Sequence, residues 1–128
     1  VLQEFIFKAY EGRIDMFDEG GSIRNYLYIT DSIRIVINTL FAGKDLVYNV
    51  GGDTEPISIF ELACKIGEYF KVPVAKGKCK NINVKAAPKN VGLDMSKYRN
   101  EFPEHVTRTL LDDGIKNTIK WYNLKEQK

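Results

Sequence analysis

The sequence predicts an α/β chain of a particular kind: a small mixed α+β lobe with a few short strands packed against about four helices. Three observations carry this. Apolar residues recur at spacings of three and four in four separate stretches, the mark of amphipathic helices. The β-branched and aromatic clusters between them are short, the length of single strands. Glycines and helix-capping residues fall at the joins. The order reads α β β α β α (β) α, with no internal repeat, low-complexity run or interdomain linker. The strands are too few and the helices too numerous for a sandwich.

Each element has its own warrant. Val1 to Glu11 sets Leu2, Phe5, Ile6 and Ala9 on one helical face, and Gly12 ends it. Ile14 to Phe17 reads as a short strand, Gly20-Gly21 as a turn, and Ile23 to Ile29 as a second strand. Thr30-Asp31-Ser32 is a cluster of capping residues. Behind it Ile33, Val36, Ile37, Leu40 and Phe41 form the expected buried face of a helix stopped by Gly43. Leu46 to Val50 reads as a strand ended by Gly51-Gly52. Ser58 and Glu61 have capping-box spacing, ahead of a helix burying Ile59, Leu62, Ala63, Ile66 and Phe70. Residues 71–93 hold Lys71, Lys76, Lys78, Lys80, Lys85 and Lys89 and no acid, and read as a mobile, strand-poor stretch with one edge strand near Ile82 to Val84. Asp94 to Tyr98 suggests a helical turn. A last helix starts near Thr109 to Asp112 and carries Leu111, Ile115, Thr118, Ile119 and Tyr122, before a tail that frays.

The chain has 128 residues, one domain's worth, expected to act as a single unit over 1–128. Its 19 Lys and Arg against 17 Asp and Glu leave a formal charge of +2, too little to imply a nucleic-acid partner. No apolar run is long enough to cross a membrane, so no membrane association is expected. Cys64 and Cys79 form no metal-ligand spacing with the lone His105 and read as free thiols of a reducing cytoplasm. The chain opens at Val1 directly in an amphipathic pattern, which reads as a piece of a longer protein. No glycine-rich dinucleotide loop, no P-loop, no nucleophile elbow and no Tyr-x-x-x-Lys pair occurs in the 128 residues. A self-contained dehydrogenase or phosphotransferase is therefore not expected.

The most informative stretch is Gly20 to Asp31. Arg24 opens an otherwise uncharged strand beside a glycine turn, where a guanidinium is well placed to fork two phosphate oxygens. The alternative is a surface ion pair with Asp18 or Glu19. Asp31 reads as a helix cap rather than an acid or base. Tyr48-Asn49-Val50-Gly51-Gly52 reads as a strand ended by glycines or as a backbone approach to a ligand. The lysine run reads as a solvated loop or as an anion site, although its lack of interleaved aromatics argues against a stacking platform. Met16 and Phe17 either flank a flat ring or belong to the core.

Together these segments resemble the C-terminal region of nucleotide-sugar epimerases and dehydratases, the extended short-chain dehydrogenase/reductases. The resemblance rests on the helix to Gly12-Arg13, on Gly20-Gly21-Ser22-Ile23-Arg24-Asn25-Tyr26-Leu27-Tyr28-Ile29-Thr30-Asp31, on Tyr48-Asn49-Val50-Gly51, and on Ile57-Ser58-Ile59-Phe60-Glu61-Leu62-Ala63. It continues through Leu93-Asp94-Met95-Ser96-Lys97 and Leu111-Asp112-Asp113-Gly114-Ile115, all in the family's order.

It implies the substrate-binding lobe of an NAD(P)-dependent enzyme acting at sugar C4. The Rossmann domain and the catalytic pair would then lie on polypeptide outside this chain, which alone would be inactive and bind no NAD(P). It implies a partner of the UDP-, dTDP- or CDP-sugar class, a homodimeric parent, and a cytoplasmic setting feeding polysaccharide synthesis. By the same resemblance Arg24 reaches the diphosphate, Met16 and Phe17 border the base, Leu2 lies at the pocket edge, and Tyr26 faces substrate from the arginine's segment. Asn49 and Asp31 map to structural positions.

Departures are visible too. Where the family often carries a second phosphate-binding arginine, this chain has Lys85-Ala86-Ala87-Pro88-Lys89-Asn90, so Lys85 or Lys89 would supply a point charge instead of a fork. Asn25 stands where Asp is usual. A 4-keto sugar reductase fits the same pattern. Two other classes remain: a stand-alone anion- or nucleic-acid-binding module built on residues 71–89, and a structural domain that self-associates through an apolar seam.

Overall fold

The computed structural model describes residues 1–52, 55–78, 88–104 and 109–126. The elements run α1 (Leu2–Tyr10), β1 (Ile14–Asp15), β2 (Ile23–Arg24), α2 (Ile29–Ala42), β3 (Ile57–Ser58), α3 (Ile59–Phe70), β4 (Val74–Ala75), α4 (Ser96–Glu101) and α5 (Leu111–Glu126). This is the mixed α/β architecture expected, with short strands and helix as the dominant element. The chain divides into two compact units: Val1–Arg24 with Ile57–Val91, and Asn25–Pro56 with Gly92–Lys128.

The first unit holds α1, α3 and all four strands. β1 pairs with β4 in parallel, Ile14 against Val74, and β2 pairs antiparallel with β3, Ile23 against Ser58. Phe5, Ile6 and Ala9 of α1, Ile14 and Met16, and Leu62, Ala63 and Ile66 of α3 form its buried set. α1 ends as its sequence dictates: Gly12 takes a positive φ of 97°, a conformation that costs a glycine little.

α3 begins at the expected capping box. The Ser58 side chain accepts from the Glu61 N–H at 3.1 Å, and the Glu61 carboxylate accepts from the Ser58 N–H at 2.7 Å. Ser58→Ala is expected to lower stability by about 1 kcal/mol, read by thermal unfolding. The two Ser58 donors also hold the Glu61 carboxyl below its ordinary range, the backbone N–H first and the hydroxyl second. A carboxyl depressed in the folded state stabilises fully above its unfolded value of about 4.3, and that contribution is lost as pH falls through the lower folded value. The acid limb of the unfolding curve should therefore flatten in Glu61→Gln.

The second unit holds α2, α4 and α5. Its core joins Ile35 of α2 to Tyr98 of α4 and to Phe102, with Leu27, Tyr48 and Val50 packed against them. The Tyr98 and Phe102 rings lie 5.0 Å apart. Ile115 and Ile119 of α5 are also buried.

Four sequence expectations change here. The second strand spans only Ile23–Arg24, and the chain enters α2 at Ile29. The cap of α2 is Tyr28 with no side-chain bond, so Asp31 is not the cap. It is buried in the first turn instead, where Oδ2 accepts the Thr109 N–H at 3.0 Å and Oδ1 lies 3.4 Å from the Arg34 guanidinium. The expected capping role is replaced by a tie between α2 and Thr109. Asp31→Ala would leave that N–H unpaired and should cost roughly 1–3 kcal/mol.

The face of α2 is reversed as well. Ile35 meets the aromatic pair and Asn38 Nδ2 donates to the Tyr98 hydroxyl at 3.1 Å, so the mixed face turns inward. Ile33, Val36, Ile37, Leu40 and Phe41 remain exposed. Finally, Leu46 to Val50 is not a strand: the segment is irregular and pairs with no described strand.

The lysine-rich stretch does contain a strand, β4, at Val74–Ala75. The expected edge strand at Ile82 to Val84 lies outside the described residues, as do Lys85, Cys79 and His105.

Candidate functional site

The candidate site grows from β2. Its Ile23 N–H donates to the Lys89 carbonyl at 2.7 Å, and Ile23 bridges Asn90 in parallel. β3 pairs on its antiparallel side, so β2 is held from both sides. Arg24 is thereby fixed in place and half-buried. Its Nη1 donates to the Ile23 carbonyl at 2.7 Å and to the Pro88 carbonyl at 3.0 Å. The ion pair with Asp18 or Glu19 does not form. Asp18 Oδ1 instead accepts the Gly20 N–H at 2.8 Å, closing the turn, and no described carboxylate bridges to Arg24. Arg24 is thus a cation anchored through one edge by carbonyls, with no partner carboxylate among the described residues, and a guanidinium has further donors of the kind that take an anion.

The turn before β2 is built around Gly20, at a φ of 66°. A side chain there would collide with the Met16 methyl and the Phe60 backbone nitrogen. Met16 is therefore buried under the turn, while Phe17 is exposed beside it. Gly77 fits against the Met16 and Phe17 carbonyls, and Lys76 Nζ lies 4.0 Å from the Phe60 ring centroid. The first unit thus joins Arg24 to the segment carrying Lys89. Lys89 is exposed, and Leu2 is half-buried in the first turn of α1. Tyr26, half-buried, belongs to the other unit.

The departure at Asn25 has a structural reason. Its Nδ2 donates to the Gly52 carbonyl at 3.1 Å and its Oδ1 accepts the Gly52 N–H at 2.6 Å. An aspartate loses the donor and sets a carboxylate against a carbonyl. Asn25→Asp is expected to cost roughly 1–3 kcal/mol, checked by denaturant unfolding. Asn49, expected to be structural, is exposed and hydrogen-bonds to no described residue.

No protein-family model matches the chain. dTDP-glucose 4,6-dehydratase 1 of Escherichia coli K12 is 27% identical over 126 residues, which cover 91% of this chain and 34% of that protein. The crystal structure of a Bacillus anthracis dTDP-glucose 4,6-dehydratase in complex with NAD superposes with a TM-score of 0.82 over 98% of this chain and 40% of that one, at 20% identity. A Thermotoga maritima UDP-glucose 4-epimerase with UDP-glucose gives a TM-score of 0.80 over 97% of this chain and 39% of that one, also at 20% identity. The fold is that of the C-terminal part of an extended short-chain dehydrogenase/reductase. The chain spans about a third of the length of the curated relatives it matches.

The second unit contains a polar cluster that sequence spacing could not reveal, because its members come from segments about fifty residues apart. The Tyr48 hydroxyl donates to Glu101 Oε2 at 2.8 Å and accepts the Asp45 N–H at 2.9 Å, while Glu101 Oε1 accepts the Lys44 N–H at 2.7 Å. Lys97 pairs with Asp45 at 2.8 Å and donates to the Val47 carbonyl at 3.2 Å. Lost solvent, and then the Glu101 carboxylate, hold the Tyr48 phenol above its ordinary range; the Lys97 hydrogen bond holds Asp45 below its own. The cluster ties residues 44–48 to α4 by polar contacts, beside the edge-on packing of the Tyr48 ring against Tyr98. No helix among the described residues is long and apolar enough to cross a membrane.

Proposed function

We propose that this chain is the nucleotide-diphosphate-sugar-binding lobe of an NAD(P)-dependent epimerase or dehydratase acting at sugar C4. One observation carries the reading: Arg24 is half-buried, held on β2 by two backbone carbonyls, and faces no described carboxylate. Such a guanidinium binds a diphosphate in preference to nothing at all, because its remaining donors are already ordered and need only an acceptor. Lys89, on the segment paired to β2, adds a point charge in the place of the family's second arginine, with Lys85 as the other candidate. Phe17 offers an exposed ring to the base beside the buried Met16, and Leu2 lies at the pocket edge.

The similar solved structures support this choice of ligand, one having NAD and another UDP-glucose in its complex. The chain's own residues do not fit the dinucleotide. β1 leads into a turn and then β2, and β3 runs into α3 through Ser58-Ile59 without a glycine loop, so neither junction offers a pyrophosphate the usual glycine-rich strand-to-helix cradle. NAD(P) is accordingly assigned to the remainder of the parent enzyme, cytoplasmic and homodimeric in this reading. This lobe binds and orients substrate, and no hydride step runs through it.

Titration of the chain with UDP, dTDP, CDP and a single-stranded oligonucleotide tests the reading. Saturable binding of a pyrimidine nucleoside diphosphate, with no NAD reduction when a nucleotide sugar and NAD are added, is the expected result. Oligonucleotide binding with a steep salt slope, indifferent to position 24, would replace it with the lysine-based module.

A further inference from the structure

The turn between β1 and β2 is stitched down by its backbone, yet the carboxylate it presents has one oxygen to spare. The Gly77 N–H donates to the Asp18 carbonyl, the Phe60 N–H to the Gly20 carbonyl and the Ile59 N–H to the Ser22 carbonyl, each at 3.0 Å. Asp18 Oδ1 accepts the Gly20 N–H at 2.8 Å, which orients the whole carboxyl group. Asp18 is nonetheless exposed. Its Oδ2 meets no donor among the described residues, and no described Lys or Arg forms an ion pair with it.

A fixed carboxylate on the turn that leads into Arg24 is out of place at an anion site. It repels a diphosphate unless a donor on the same ligand stands between them. The order of groups along a nucleoside diphosphate says which donor that is. With Phe17 at the base and Arg24 at the diphosphate, the ribose passes over the turn between them. Its 2′-hydroxyl sits beside the carbon that carries the base, and Asp18 follows Phe17 directly. Acidic side chains select ribonucleotides at dinucleotide sites by the same bond. Glu19 is exposed too, but no hydrogen bond among the described residues orients its carboxylate.

We infer that Asp18 is a specificity-determining residue whose Oδ2 accepts the ribose 2′-hydroxyl, so that the lobe takes UDP- or CDP-sugars in preference to dTDP-sugars. The inference rests on the proposed function for the ligand and its direction along the turn, and adds the choice of pentose.

Calorimetric titration of the chain with UDP and with 2′-deoxy-UDP tests it. UDP should bind about 10-fold more tightly than the analogue, the loss of one hydrogen bond to a charged group. Asp18→Ala should erase that difference, and the analogue should bind the variant at least as well as the native chain, because the carboxylate that faced it is gone. Asp18→Asn, which still accepts the Gly20 N–H, should lose most of the preference, since its bond is no longer charge-assisted; it decides the matter should Asp18→Ala bind neither ligand. Glu19→Gln should keep the native preference. Equal affinity of the native chain for the two ligands, a preference that survives removal of the Asp18 carboxylate, or its loss in Glu19→Gln would each overturn the assignment. Failure of the proposed function reads differently: UDP then does not bind, and both fall together, whereas failure of this inference alone leaves UDP and its 2′-deoxy analogue bound alike.

Discussion

Arg24→Ala should weaken binding of a pyrimidine nucleoside diphosphate by about 10–100-fold, the loss of a hydrogen-bonded ionic contact of roughly 1.5–3 kcal/mol. The guanidinium also clasps the carbonyls of Ile23 and Pro88, so truncation removes a structural bond as well. Arg24→Lys separates the two effects. Lysine keeps the charge but not the planar fork, and should recover only part of the affinity. Calorimetric titration reads the binding, and a melting curve on each variant reads the structural share. An unchanged affinity in Arg24→Ala, with a lowered melting temperature, would make this residue a strand clamp and nothing more.

The other large effect lies in the core of the first unit. Leu62 is fully buried on α3, in a unit whose other buried side chains are those of α1, Ile14, Met16, Ala63 and Ile66. Leu62→Ala removes its transfer free energy and leaves a cavity, at a cost of roughly 2–5 kcal/mol. For a chain of this size the melting temperature should fall by about 10 °C or more. The same substitution at Leu40, on the exposed face of α2, should change it by less than a few degrees in the isolated chain. The contrast checks which of two equally apolar helical stripes is inside.

That contrast also shows where sequence reading stopped. Periodicity identified α2 as amphipathic but could not say which stripe is covered, since burial depends on what else is present. The strand pattern of Leu46 to Val50 was legible for the same reason and unfulfilled for the same reason: a strand exists only with a partner. Local signals fared better. The Ser58–Glu61 capping box and the glycine stop of α1 depend on neighbours within a few residues, and both stand as written in the sequence. At the site, Arg24 was legible only as a candidate, from its residue type and the glycine turn beside it. Its acceptors at Ile23 and Pro88 were not, because β2 meets residues 88–90 through a parallel bridge spanning more than sixty positions. The Tyr48–Glu101 bond was invisible on the same grounds.

The most direct test of the central claim is a map of backbone amide chemical shifts as UDP or dTDP is added to the isotope-labelled chain. Saturable shifts centred on Ile23, Arg24, Lys89 and Asn90, reaching Phe17, are expected. Shifts confined to the lysines of 71–78, or none at saturating nucleotide, would contradict it.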